Sequence, residues 1–214
     1  MRKDFEQELK RLLESFRSSI RRETSGVAIP FIAFGAALNL SLGQIAGLLK
    51  LPVYLDSIGT VLVAVLCGPW AAVIAGSVAN TIGSITFSPP SVFFIPTVVM
   101  IGAFTGIVAR HGVFRKWYTA LPVGVMQGML AAAVSAPISA YLFSGITLSG
   151  MDFLVMFFRA EGKSILLSTF LQGLVADPLD KALTYTAAWF IVKQLPHRIV
   201  IRFPRYENIF PASG

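Results

Sequence analysis

Long apolar runs, separated by short polar or proline-bearing turns, set the plan of this chain. Val27 to Leu49 contains no charged residue, and about twenty apolar residues suffice to cross a bilayer core, so a first spanning helix is predicted there with Thr24 or Ser25 as its cap. Leu51 to Pro90 holds one charged residue, Asp56. Two apolar runs in that stretch, about Ile58 to Cys67 and Ala71 to Ile82, are divided by Gly68-Pro69. Proline lacks an N–H and clashes with the preceding helical turn, which predicts a hairpin of two short membrane helices rather than one continuous helix. A fourth helix is expected from about Val92 to Ala109, after Ser88-Pro89-Pro90, and a fifth from about Trp117 to Phe143, kinked near its far end by Pro137.

The stretch 144–176 is less regular. Met151 to Phe158 and Ser164 to Val175 are apolar but short, with charged Arg159, Glu161 and Lys163 between them, a pattern that fits an interfacial or re-entrant helix. Asp177-Pro178 reads as an N-cap followed by a first-turn proline, which starts the sixth helix at about Leu179 and ends it at Gln194, before Pro196. Residues 3–22 have another character. Phe5, Leu9, Leu12, Leu13, Phe16 and Ile20 fall on one helical stripe, flanked by basic and acidic side chains. This pattern suits a helix lying on the membrane surface; docking on a partner protein is the alternative. The organisation expected is an amphipathic helix (1–24), a six-helix membrane domain (25–196) and a basic tail (197–214).

Composition agrees. Of 214 residues 55% are hydrophobic and 14% charged, with mean hydropathy +0.70, whereas soluble domains carry about 25% charged residues. The expected fold is therefore an all-α membrane protein. The net charge of +7 is explained by topology rather than by nucleic acid. With six spans, fourteen lysines and arginines fall on the side of both termini and the Arg110–Lys116 loop, against four (Lys50, Arg159, Lys163, Lys181) on the other. The positive-inside rule then places both termini in the cytoplasm, with the chain multi-pass in the membrane. The charged start, with no short apolar core, predicts no secretory signal. Cys67 is the only cysteine and reads as a buried, inert thiol.

HExxH, GxSxG and P-loop motifs are absent from the sequence, and both histidines lie in basic segments, so neither an enzyme nor a metal or cofactor site is expected. Polar residues gather instead at one end of the predicted helices: Asn39, Gln44, Tyr54, Asp56, Asn80, Thr81 and Ser84. Phe87, Phe93 and Tyr141 flank them and could stack on a flat ring. A mostly apolar pocket with a few convergent polar groups is the usual form of a small-molecule site. Arg159 joins the set, since the Arg159–Lys163 segment is the next place to look. Each charge has a plainer reading: Asp56 could cap the second helix across Gly59, Asp177 could be only a cap, and Asp180 and Lys181 could be a solvated rim. Ala33 and Ala37, four apart, form a groove for a close helix approach, either within the protein or with a partner.

Four blocks together resemble the substrate-binding S-components of energy-coupling factor (ECF) transporters, most of all their riboflavin-transporter-like branch. They are Leu51-Pro-Val-Tyr-Leu-Asp-Ser-Ile-Gly-Thr60, Cys67-Gly-Pro-Trp70, Asn80-Thr-Ile-Gly83, and Asp180-Lys181 followed by Leu195-Pro196. The likeness covers roughly residues 27–203; the N-terminal amphipathic helix departs from the family pattern. It implies a six-helix module that captures a vitamin or related micronutrient outside the cell. An EcfT-type transmembrane coupling protein and two cytoplasmic ATPases would drive its transfer inward, with Ala33 and Ala37 meeting the coupling protein. A membrane sensory module for a small ligand is the alternative.

Overall fold

The computed structural model describes the backbone of residues 2–210 and the side chains of residues 7–210. Helices make up 80% of the structure and no strand occurs among the described residues. In chain order they are α1 (Arg2–Glu23), α2 (Ala28–Leu48), α3 (Ile58–Leu66), α4 (Pro69–Thr86), α5 (Ile95–Arg110), α6 (Trp117–Phe143), α7 (Asp152–Ala160), α8 (Ile165–Gln194) and the single turn α9 (His197–Val200). A 3-10 segment, Pro89–Phe94, leads into α5. Among the described residues, three stretches are long and apolar enough to cross a membrane: Ala28–Leu48, Pro89–Arg110 and Trp117–Phe143.

α3 lies on the bundle axis. All nine of its residues are buried, as expected of a helix apolar on every face, and α2, α4, α5 and α8 surround it. Nine residues at 1.5 Å each make a rod of only ~14 Å, half a bilayer core. The chain reaches its start through an irregular loop, residues 49–57, that descends between the other helices. Below that point, α3 and the side chains of Phe114, Tyr185, Val192, Val200, Phe203 and Ile209 fill the interior. Above it, no helix occupies the axis.

Small residues set the helix spacing. Gly35 on α2 meets Gly59 on α3 so closely that a Cβ on Gly59 would overlap the Gly35 carbonyl. The most extensive interface joins α6 and α8, where Gly124, Gly128 and Ala132 face Lys181, Pro178 and Gly173. Internal packing on α2 therefore uses Gly35, Ala36 and Asn39; Ala33 and Ala37 lie exposed on the opposite face.

Two sequence expectations are corrected here. α8 is one helix of 30 residues, capped by Ser164, whose Oγ accepts the Leu167 N–H at 3.3 Å. Asp177 is thus an interior residue, not an N-cap. Pro178 removes one helical hydrogen bond, but the missing Cβ of Gly128 lets α6 pack against the proline backbone, and tertiary contact carries the helix through. The C-terminal segment is also no free basic tail as far as Phe210. Val200, Phe203 and Ile209 are core, and Asn208 Nδ2 donates to the Val65 carbonyl at 3.0 Å. As expected, the hairpin turns at Gly68-Pro69, with Gly68 at φ +114° and Pro69 in the first turn of α4.

α1 forms over the predicted span. Leu9, Leu12, Leu13 and Phe16 of its stripe stay exposed, although Phe16 also sets its ring edge-on to Trp70 at 4.8 Å; the Phe5 side chain lies outside the described residues. Its last residue, Glu23, is fully buried. The carboxylate accepts from Arg205 at 2.6 Å, from Arg110 at 3.0 Å and from the Trp70 backbone N–H at 3.0 Å. Gly68 touches it closely enough that any Cβ there would collide. One residue thus ties α1, the hairpin turn, the end of α5 and the C-terminal segment together.

Candidate functional site

The axial space above α3 is a cavity of about 410 Å³. The C-terminal halves of α2, α4 and α6 wall it together with the N-terminal parts of α5 and α8, and residues of the loops at 53–56 and 147–149 line it too. Its origin is the shortness of α3.

The loop 49–57 needs explaining first, since irregular backbone inside a helical bundle leaves peptide groups without partners. α8 supplies one. Asp180 Oδ1 accepts the Tyr54 and Leu55 N–H groups at 2.9 and 2.8 Å, which holds Leu55 in its left-handed conformation (φ +54°). Asp180 Oδ2 takes the Lys181 ammonium at 2.6 Å, and the same Nζ donates to Ser57 Oγ at 2.6 Å. Both residues are buried, so the solvated rim expected from their sequence is instead an ion pair that anchors the loop. Asp56 Oδ1 lies 3.7 Å from Lys181 Nζ, and half of the Asp56 side chain remains open to the cavity.

The start of α3 is capped from another helix. Asn39 Oδ1 on α2 accepts the Gly59 N–H at 2.7 Å, and its Nδ2 donates to Thr60 Oγ1 at 2.8 Å. The N–H that Asp56 might have capped is thereby taken, and Asp56 is left facing the cavity. Tyr54 OH accepts from Gln172 Nε2 at 2.9 Å. Asp177 lines the wall, with Ser135 Oγ its nearest donor at 3.5 Å.

Six of the eleven residues expected at a ligand site line this cavity: Asn39, Gln44, Tyr54, Asp56, Asn80 and Phe87. Of these, Asn39 spends its polar atoms on α3, and Asn80 Nδ2 donates to the Ser91 carbonyl at 2.9 Å. The other five lie elsewhere. Thr81 and Ser84 turn to carbonyls of their own helix (Ser77 and Thr81), and Phe93 packs edge-on against Phe143. Tyr141 points outward, and Arg159 sits exposed on α7 beside a separate cavity with Met156 and Ile165. Gln172, Asp177 and Lys181 were missed as lining residues because the sequence places the helix start after Asp177, whereas all three belong to the one continuous helix. Thr97, on α5, was missed too; its buried Oγ1 has no partner. Comparison with protein-family models, characterised proteins and solved structures finds no match.

Proposed function

We propose that the chain is the membrane-embedded substrate-binding component of an uptake system for a vitamin or related micronutrient, working with a separate EcfT-type coupling protein and two cytoplasmic ATPases. In this reading α2, α3, α4, α5, α6 and α8 are the six spans, both termini are cytoplasmic, the cell is bacterial, and the cavity opens outward. The observation that carries it is the cavity itself: about 410 Å³, within the range of small-molecule sites, reached by Asp56 from the loop, Asn80 from α4 and Gln172 and Asp177 from α8. The sequence blocks that resemble those of ECF S-components support the same reading. So does the exposure of Ala33 and Ala37, which leaves a smooth helix face free for a partner.

The test is mass spectrometry of small molecules released from the purified protein, followed by calorimetry and cellular uptake of the compound found. Asp56→Ala is expected to weaken binding by about ten- to a hundredfold, since a ligand group losing its buried partner costs about 1–3 kcal/mol. Asn80→Ala is expected to do less, because Asn80 is already bonded to Ser91. Tight binding without uptake in cells supplying the coupling protein and ATPases would favour the sensory reading; no binding and no uptake would discard both.

A further inference from the structure

The cavity's charges do not balance, and the imbalance has a sign. Lys181 is the one basic residue among the described lining residues; Asp56 and Asp177 are the acidic ones. The lysine is not available to a ligand. Its ammonium has three N–H groups, and two are spent at 2.6 Å on Asp180 and Ser57 while the third faces Asp56. Asp180 is likewise used up, holding Lys181 and two backbone N–H groups of the loop. This pair cancels inside the protein, and two carboxylates remain on the cavity side. Asp56 has its nearest cation at 3.7 Å and half its side chain open to the space; Asp177 has one donor at the limit of hydrogen bonding, 3.5 Å.

An enclosed carboxylate with so little compensation takes up either a proton or a cation. The cavity is built to admit the second. Tyr54, Phe87 and Phe94 add aromatic surface, which attracts cations, and Thr97 Oγ1, buried in the α5 wall, adds an unpaired polar atom. An anionic compound would meet the opposite: two carboxylates on the lining and, among the described lining residues, no free cation.

We propose that the compound held here carries a positive charge, an amine or a cationic heteroaromatic ring, seated between Asp56 and Asp177. This rests on the cavity being the ligand site, as read above, and goes beyond it in naming the chemical class.

The experiment uses the full-length chain in lipid nanodiscs and isothermal calorimetry against compounds sorted by charge. One set holds a pyridine ring constant: 1-methylnicotinamide (cation), nicotinamide (neutral) and nicotinate (anion). A second consists of micronutrients: thiamine and pyridoxamine as cations, riboflavin as neutral, biotin and pantothenate as anions. Binding is expected among the cations, at least about tenfold tighter than among neutral compounds, with anions not binding. Asp56→Asn and Asp177→Asn should each shrink that preference by about tenfold. Should Asp177→Asn fail to fold, the charge order on the unaltered protein still decides. A neutral or anionic compound binding more tightly than the cations, or a preference untouched by Asp56→Asn, overturns the inference and leaves the binding role standing. No binding by any compound overturns both.

Discussion

At the residue scale, the buried charges divide into those that build and those that face outward into space. Asp180 and Lys181 build: they are adjacent on one helix, saturated by the loop, and removing either strands the other. Glu23 builds at the opposite end, and its two arginines are not equivalent. Arg205 is nearer, at 2.6 Å against 3.0 Å, and less exposed, 21% against 41%. Arg205→Ala is therefore expected to destabilise by about 2 kcal/mol and Arg110→Ala by less, since a charge-assisted bond is worth more where water cannot replace it. Denaturant titration of the two variants checks the order; equal losses would mean that Glu23 is hydrated. Asp56 and Asp177 are the unsaturated exceptions.

At the element scale, the decisive features are a short helix and a long one. α3 is half the length of a span because its start is capped midway through the bundle by Asn39, and the cavity is the volume it does not fill. α8 is long because α6 offers glycine opposite its proline. Gly128→Ala would push a methyl group into the backbone of Pro178, so the protein should lose several degrees of thermal stability or fail to accumulate folded. Gly47→Ala, also on a helix but with no atom near the added methyl, should melt like the parent or slightly higher. Similar melting of both variants would show that α6 and α8 do not approach as described.

At the scale of the whole molecule, one half is packed solid and the other is hollow, and the end of α1 meets the C-terminal segment at the solid end. That arrangement yields two predictions. Leucine at both Ala33 and Ala37 should leave folding and ligand binding intact but abolish transport, because these residues face away from the cavity and the core. Normal transport in the double variant would remove the coupling face from α2. Cysteine at Ser88 or Ser149, both on the cavity lining, should label from outside intact cells, and cysteine at exposed Arg198 should not. Arg198 is preferable to Arg205 here because Arg205 holds Glu23. The native Cys67 gives no background, because it is buried. External labelling at 198 would invert or break the six-span topology.

What the sequence determined by itself is local: apolar runs long enough to span, the Gly68-Pro69 turn, the amphipathic N-terminal helix and the absence of familiar catalytic motifs. These follow from hydropathy and from proline chemistry, which act over a few residues. The tertiary structure decided what depends on a second element being present. Pro178 is read locally as a helix start, yet Gly128 on α6 makes it interior. Asp180 and Lys181 are read as a wet rim, yet the loop's unpaired N–H groups make them a buried anchor. Asn39 is read as a ligand group, yet α3 claims it as a cap from 20 residues away in sequence. Glu23 sits at the end of a polar helix and gives no local hint that two distant arginines will bury it. In each case the partner is remote along the chain, and hydrogen bonding or close packing across that separation settles the role.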